Sequence, residues 1–120
     1  MVKMKEHERP KIEELLRLDV DGLMNLLPAY DPQYEHTMFA PQGQLQAGRE
    51  IFERLKKQLH RCVCIEWKYC EKKKSDKYQD PVLLVASVAD VIATVSMSIP
   101  PFVIATLLFK IGLSSFCECK

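Results

Sequence analysis

Residues 82–116 read VLLVASVADVIATVSMSIPPFVIATLLFKIGLSSF, and Asp90 and Lys110 are their only charged residues. A proline pair in the middle separates two stretches that favour helix, 82–98 and 102–116, because the residue before a proline avoids the helical conformation. Helices that are apolar around most of their circumference lie at the centre of a bundle or in lipid. The stretch therefore predicts a helical hairpin that is either a buried core or a membrane element.

Two features of this hairpin favour the buried core. Each half is shorter than the roughly 20 apolar residues that a spanning helix needs, and Asp90 falls in mid-segment, where a charge is costly in lipid. In a buried hairpin Asp90 and Lys110 face solvent or a partner along narrow polar strips. Membrane association stays open as the alternative, because lysines that could meet anionic headgroups directly precede the hairpin. These lysines are Lys72, Lys73, Lys74 and Lys77.

Residues 10–27 predict helix, because their apolar side chains recur three and four residues apart. Asp19 and Asp21 with Gly22 can divide the stretch into two short helices, since an aspartate is a favoured cap for the second. Pro28 marks the expected end of this helical region.

Residues 28–47 are expected to form a long irregular connection that contains prolines and several aromatic side chains. Ordered connections of about 20 residues are uncommon and are often functional. Two interpretations stay open: a strap whose aromatic side chains plug the core, or a binding loop. The candidates in a binding loop are Tyr30, Tyr34 and His36.

Residues 48–74 carry two conflicting patterns. Alternation of Val63, Ile65, Trp67 and Tyr69 indicates a strand. A helical projection instead gathers the apolar residues on one face and basic residues on the opposite face. We predict one long helix, because a lone strand would leave its backbone groups unpaired; the strand stays open as the alternative.

The basic face of this helix is a candidate partner-binding surface, and Asp90 and Lys110 of the hairpin are further candidates. Glutamates are interspersed among the basic residues, and the formal net charge of the chain is only +1. We therefore expect a solvated face or a site for an acidic protein partner, and we do not expect nucleic acid. The basic candidates are Arg54, Lys57, Arg61, Lys68 and Lys72.

The cysteines carry the third set of expectations. The first ten residues lack the apolar run of an export signal, so we expect reduced thiols in a cytoplasmic protein. Cys62 and Cys70 are expected to act as small apolar fillers. The alternative is a zinc or redox site, for which the C-terminal cysteines must fold back onto the long helix. Its candidate ligands are Cys62, Cys70, Cys117 and Cys119.

The sequence contains no catalytic signature that would indicate an enzyme. No pattern places a nucleophile beside a base, and no glycine-rich phosphate loop occurs, so we expect neither catalysis nor a cofactor. We predict a single all-α domain over residues 1–120, a bundle of about four or five helices with a frayed segment at 1–9 and a central apolar hairpin.

The expected role of this domain is non-enzymatic. Its apolar helical surface exceeds what two short amphipathic helices can cover, and exposed apolar surface marks interfaces. We therefore expect an interaction or regulatory module that binds a protein partner or associates with itself. A membrane-inserting protein and a cysteine-based zinc or redox protein are the alternatives.

Overall fold

The computed structural model describes residues 8–34, 37–38, 40–95 and 98–119. These residues form helices and turns without a strand, which confirms the predicted all-α class. Five of the helices in this part of the chain have seven or more residues, and two are single turns. The helices are α1 (Glu8–Leu16), α2 (Val20–Leu26), α3 (Pro41–His60), α4 (Tyr69–Lys72), α5 (Pro81–Val91), α6 (Pro101–Ile111) and α7 (Leu113–Phe116). Most of the segment expected to fray, 1–9, lies outside the described residues, and its last two residues begin α1.

Helices α5 and α6 form the centre of the fold, as the apolar hairpin predicted. They pack against each other, and α1 and α2 cover them. Val85 and Val88 of α5 are fully buried, and so are Ile104, Leu107 and Leu108 of α6. A search of the described residues finds no helix with the length and apolar character needed to cross a membrane.

Both hairpin helices are shorter than predicted. Helix α5 ends at Val91 instead of residue 98, in a run of β-branched residues that have lower helix propensity. Helix α6 ends at Ile111, because Gly112 adopts a φ of 106°, a conformation that only glycine reaches without strain. The predicted second helix, 102–116, is therefore two helices with a sharp turn between them.

The polar strips on the hairpin differ in part from the prediction. Asp90 and Lys110 are exposed, as expected. Ser87 and Thr106, which lie about one turn before them in α5 and α6 and would continue these strips, are buried, with 3% and 0% of their surface accessible. The Thr106 hydroxyl donates to the Phe102 carbonyl oxygen at 2.7 Å, so α6 satisfies this buried polar group within its own backbone.

The first helical region follows its prediction closely. Asp19 stands between α1 and α2 with an extended backbone, and its Oδ1 accepts a hydrogen bond from the Gly22 amide at 2.7 Å. It is therefore the N-cap that the Asp-x-Asp-Gly sequence indicated. Ile12 of α1 and Leu23 of α2 are fully buried against the hairpin.

The connection after α2 is more ordered than predicted. Two short 3₁₀ turns, Leu27–Tyr30 and Pro32–Tyr34, follow α2 directly. Helix α3 then begins at Pro41, seven residues before the predicted start. Pro41 occupies the first turn of α3, where its missing N–H costs nothing and its fixed φ suits the helix. The irregular segment is thus much shorter than 28–47.

The predicted long helix, 48–74, is helical as expected but is not continuous. A π-helical segment, Arg61–Glu66, follows α3, and the Trp67 amide donates to the Cys62 carbonyl oxygen at 3.0 Å. Lys68 then adopts the left-handed conformation, with φ of 60°, and ends the run before α4. The strand alternative for this region is wrong, because the alternating residues belong to the π segment, to the turn after it and to the start of α4.

Helices α2 and α3 approach each other closely at Gly48. A β-carbon placed on Gly48 would overlap the backbone carbonyl group of Met24 in α2. One helical turn before Gly48, the side-chain Nε2 of Gln44 donates to the Asn25 backbone carbonyl oxygen at 2.7 Å. This crossing therefore requires glycine for space, and not for a special backbone conformation.

We predict that Gly48→Ala destabilises the fold by about 2–3 kcal/mol, because the added methyl group forces α2 and α3 apart. At a helical position with free space, a change from glycine to alanine would instead stabilise the fold by about 1 kcal/mol. The sign of the change in unfolding free energy therefore distinguishes the two cases. Urea unfolding followed by circular dichroism measures the difference. Gln46→Ala, an exposed change on the same helix, is the control and should stay within about 0.5 kcal/mol of the wild type. A Gly48→Ala variant as stable as this control would contradict the close crossing.

Asp80 connects the start of α5 to α1. Its Oδ1 accepts a hydrogen bond from the Val82 amide at 3.0 Å as the N-cap of α5, and its Oδ2 accepts one from Arg9 at 3.0 Å. The hydrogen bond from Arg9 lowers the pKa of the Asp80 carboxyl group, and the Val82 amide adds to this effect against the opposing effect of desolvation.

We predict that the stabilising effect of the Asp80 carboxylate depends on pH. Because folding lowers this pKa, the effect is complete above the pKa of the unfolded chain, about 3.9, and is lost as the pH falls through the lower pKa of the folded state. Asp80→Asn should therefore be less stable than the wild type at pH 7, by at most about 1 kcal/mol since the ion pair is half exposed. Urea unfolding of both proteins should show this gap closing below about pH 4. A gap that stays constant down to pH 2 would contradict the prediction.

Candidate functional site

Two disulfide bonds join the C-terminal tail, residues 113–119, to the π segment after α3 and to α4. Cys64 of the π segment is bonded to Cys117, with their Cα atoms 5.2 Å apart. Cys70 of α4 is bonded to Cys119, with their Cα atoms 5.4 Å apart. The expectation of reduced thiols is therefore wrong for four of the five cysteines.

The break after α3 is what makes this double pairing feasible. In one continuous helix Cys64 and Cys70 would point about 120° apart and lie about 9 Å apart along the axis, which a tail with one residue between its cysteines would not easily span. The left-handed conformation of Lys68 changes the direction of the chain between Cys64 and Cys70, and both cysteines then lie within bonding distance of the tail. A second left-handed residue, Glu118, separates the two cysteines of the tail.

The disulfide bonds also change the interpretation of the other cysteine predictions. Cys70 is a bonding partner and not a free apolar filler, and the bonded Cys70, Cys117 and Cys119 have no thiolate to offer zinc. The described residues hold no group of three metal-ligating side chains. Disulfide bonds are typical of oxidising compartments, so the thiol argument for a cytoplasmic location no longer applies. The location itself stays a prediction.

Cys62 is the one free cysteine, and it is half-buried against the core. Partial burial raises the pKa of its thiol, and the nearby Glu66 carboxylate adds to the effect. A thiol with a raised pKa stays protonated at neutral pH and is a weak nucleophile. Cys62 thus fits the predicted role of an apolar filler.

The C-terminal tail forms one wall of an apolar groove with a volume of about 650 Å³. Residues of α2, of α3 and of the last turn of α6 complete its lining. Phe116 of the tail packs against Phe52 and His60 of α3, with ring centroids 6.4 and 5.7 Å apart. The groove, called here the α3 groove, is lined by Val20, Met24, Arg49, Phe52, Glu53, Lys56, His60, Ile111, Ser115, Phe116 and Glu118.

Charged side chains of both signs line the α3 groove beside its apolar residues. Lys56 lies 3.8 Å from Glu53 along α3, and Arg49 lies 3.3 Å from Asp21 at the α2 edge. Glu118 is exposed at the tail edge. These ion pairs are exposed to solvent and therefore weak, so their groups can exchange partners at little cost.

The predicted basic surface does not form one stripe in the structure. Arg54 pairs with Asp31 at 2.9 Å, and Arg61 pairs with Glu66 at 3.6 Å. Lys68 is itself the left-handed residue and Lys72 lies beyond it in α4, so neither continues the face of α3. Lys57 borders a smaller cavity, which shares His60 and Phe116 with the lining of the α3 groove.

The predicted loop candidates line a different cavity, which has a volume of about 580 Å³. Tyr30 is partly exposed there, and Tyr34 packs against the core. Both tyrosines lie in the 3₁₀ turns after α2. His36 lies outside the described residues.

The residues of the α3 groove were not singled out by the sequence. Phe52 and Met24 have the spacing of core residues, and both are mostly buried. Only the packing of α7 shows that their outer edges line a surface groove together with Phe116. The Cys-x-Cys tail was the one available signal, since two cysteines beside Phe116 can fix its position.

In comparisons with known proteins, the chain matches no protein-family model, no curated protein and no solved structure. No residue role is therefore carried over from another protein. Any function assigned to the α3 groove rests on the contacts of this chain alone.

Proposed function

We propose that this protein is a non-enzymatic interaction module that associates with a second copy of itself through the α3 groove. The single observation that carries the proposal is the composition of this groove, in which apolar side chains line the surface together with charged side chains of both signs. Apolar surface that is left open between helices marks a binding site more often than scattered exposed apolar residues do.

The apolar side chains that line the groove supply its contact area. Val20, Ile111 and Phe116 are each only partly buried, although they pack against the core. They lie on three different elements that converge on α3. A partner that covers them would remove apolar surface from water without any change in the core.

The charges around the groove favour a second copy as the partner. In a two-fold symmetric interface the same patch occurs on both sides, so it must be complementary to itself. Here Arg49 and Lys56 stand beside Glu53 and Glu118, and a two-fold arrangement can place the basic groups of one copy against the acidic groups of the other. The net charge of +1 adds little repulsion between copies.

We predict that the oxidised protein forms a dimer of about twice 13.9 kDa in light scattering on size-exclusion fractions. Phe116→Asp should give a monomer, because the interface would then bury a charge in an apolar contact. Lys56→Glu should weaken the dimer by at least about fivefold, since each copy loses an attraction and gains a repulsion.

Lys11→Glu on α1 is the matched control, because it makes the same charge change at an exposed position outside the groove. It should leave the dimer unchanged. Circular dichroism checks that every variant is folded. A wild-type protein that stays monomeric over the whole concentration series would contradict self-association, and a dimer that survives both groove variants would place the interface elsewhere.

A further inference from the structure

We propose that thiol–disulfide exchange controls the α3 groove. Reduction of Cys64–Cys117 and Cys70–Cys119 releases the tail that forms one wall, and the groove then loses its capacity to hold a second copy. The inference rests on the proposed function, because it names the regulation of the same site.

The bonded cysteines lie beside the residues that line the groove. Phe116 directly precedes Cys117, and Glu118 lies between Cys117 and Cys119. Each of these two lining residues is thus adjacent in sequence to a covalent anchor. The two bonds therefore position the wall itself and not a distant part of the fold.

The tail has few other anchors. Helix α7 has four residues, and a helix of one turn is not stable without tertiary contacts. Leu113 is buried at its start. Beyond it Phe116, Cys117 and Cys119 are only partly buried against the core, and the polar contacts to the rest of the chain are long: Lys73 Nζ to Ser114 Oγ at 3.4 Å and Cys70 Sγ to the Cys117 carbonyl oxygen at 4.0 Å. Without the disulfide bonds the residues after Leu113 should detach readily.

The core, unlike the tail, does not depend on the disulfide bonds. Helices α5 and α6 pack against each other and against α1 and α2 through buried apolar side chains, and none of these helices contains a bonded cysteine. A chain of 120 residues is also well above the size of about 40 at which domains usually need disulfide bonds to fold. Reduction should therefore release the tail and leave the bundle folded.

The four bonded cysteines are only partly buried, so a small dithiol can reach them. A thiolate of the dithiol attacks one sulfur of the protein disulfide and forms a mixed disulfide, and the other cysteine leaves as a thiolate that takes a proton. The second thiol of the dithiol then displaces the first cysteine. Each protein disulfide gains two electrons and two protons, and the dithiol is oxidised to its own disulfide.

The test uses hydrogen exchange and light scattering on the full chain, with and without dithiothreitol. Three tail amides report release directly, because each donates within the tail region at 2.9 Å: Phe116 to Gly112, Cys117 to Leu113 and Cys119 to Ser114. On reduction these amides should exchange at least about tenfold faster, while amides of α5 and α6 change by less than about twofold. The dimer should dissociate under the same conditions.

Two variants separate the effect of losing the disulfide bonds from other effects of dithiothreitol. Cys62→Ser removes the free thiol, so rearrangement of the pairing cannot contribute, and it should behave like the wild type. A variant with serine at all four bonded positions, Cys64, Cys70, Cys117 and Cys119, should reproduce the released tail and the monomer without dithiothreitol.

Each other outcome overturns a definite part of the inference. Tail exchange that does not change on reduction overturns it even if the protein is a dimer. Faster exchange in α5 and α6 together with the tail means global unfolding and also overturns it. A released tail with an intact dimer overturns the control of association. An oxidised protein that is already monomeric overturns the proposed function instead, and tail exchange identifies that case because it does not depend on association.

Discussion

The constraint on which the fold depends is that α5 and α6 are apolar on nearly every side. Two such helices must be covered on most of their surface, and no single amphipathic helix of this chain is wide enough to do so. The cover is therefore assembled from several pieces: α1 and α2 against the hairpin, α3 across α2, and the tail beside α3. Gly48 and the capping residues Asp19 and Asp80 allow these pieces to meet at close range.

The last piece of this cover differs from the others in how it is held. Helices α1, α2 and α3 are long enough to bury whole rows of side chains, whereas α7 buries little beyond Leu113. Covalent bonds to Cys64 and Cys70 supply what packing does not. The only wall of the α3 groove that packing holds weakly is thus the one that a dithiol can release, which connects the fold to the proposed regulation.

The sequence predicts the parts of this structure that depend on local chemistry. The hairpin follows from its composition, and the split at Asp19 follows from capping preferences within four residues. The prediction of one continuous helix over 48–74 was wrong, because Lys68 adopts a left-handed conformation. No glycine or asparagine occurs there to indicate such a turn in the sequence. The two disulfide bonds join cysteines that are separated by 53 and by 49 positions in the sequence. Their pairing therefore depends on tertiary packing, which a local sequence pattern does not contain. The groove could not be predicted for the same reason, since Phe116 lies beside Phe52 only in the folded chain.

The most direct test of this account is a disulfide map of the purified, unreduced protein. Cleavage with trypsin and a glutamate-specific protease separates Cys117 from Cys119 at Glu118, and Cys64 from Cys70 at Glu66 and Lys68. After alkylation of free thiols, mass spectrometry with fragmentation of the linked peptides should then find CVCIE bonded through Cys64 to IGLSSFCE with Cys62 alkylated, and the peptide containing Cys70 linked to Cys119. Crossed pairs, a bond to Cys62, or five free thiols would contradict the claim that two disulfide bonds hold the wall of the α3 groove.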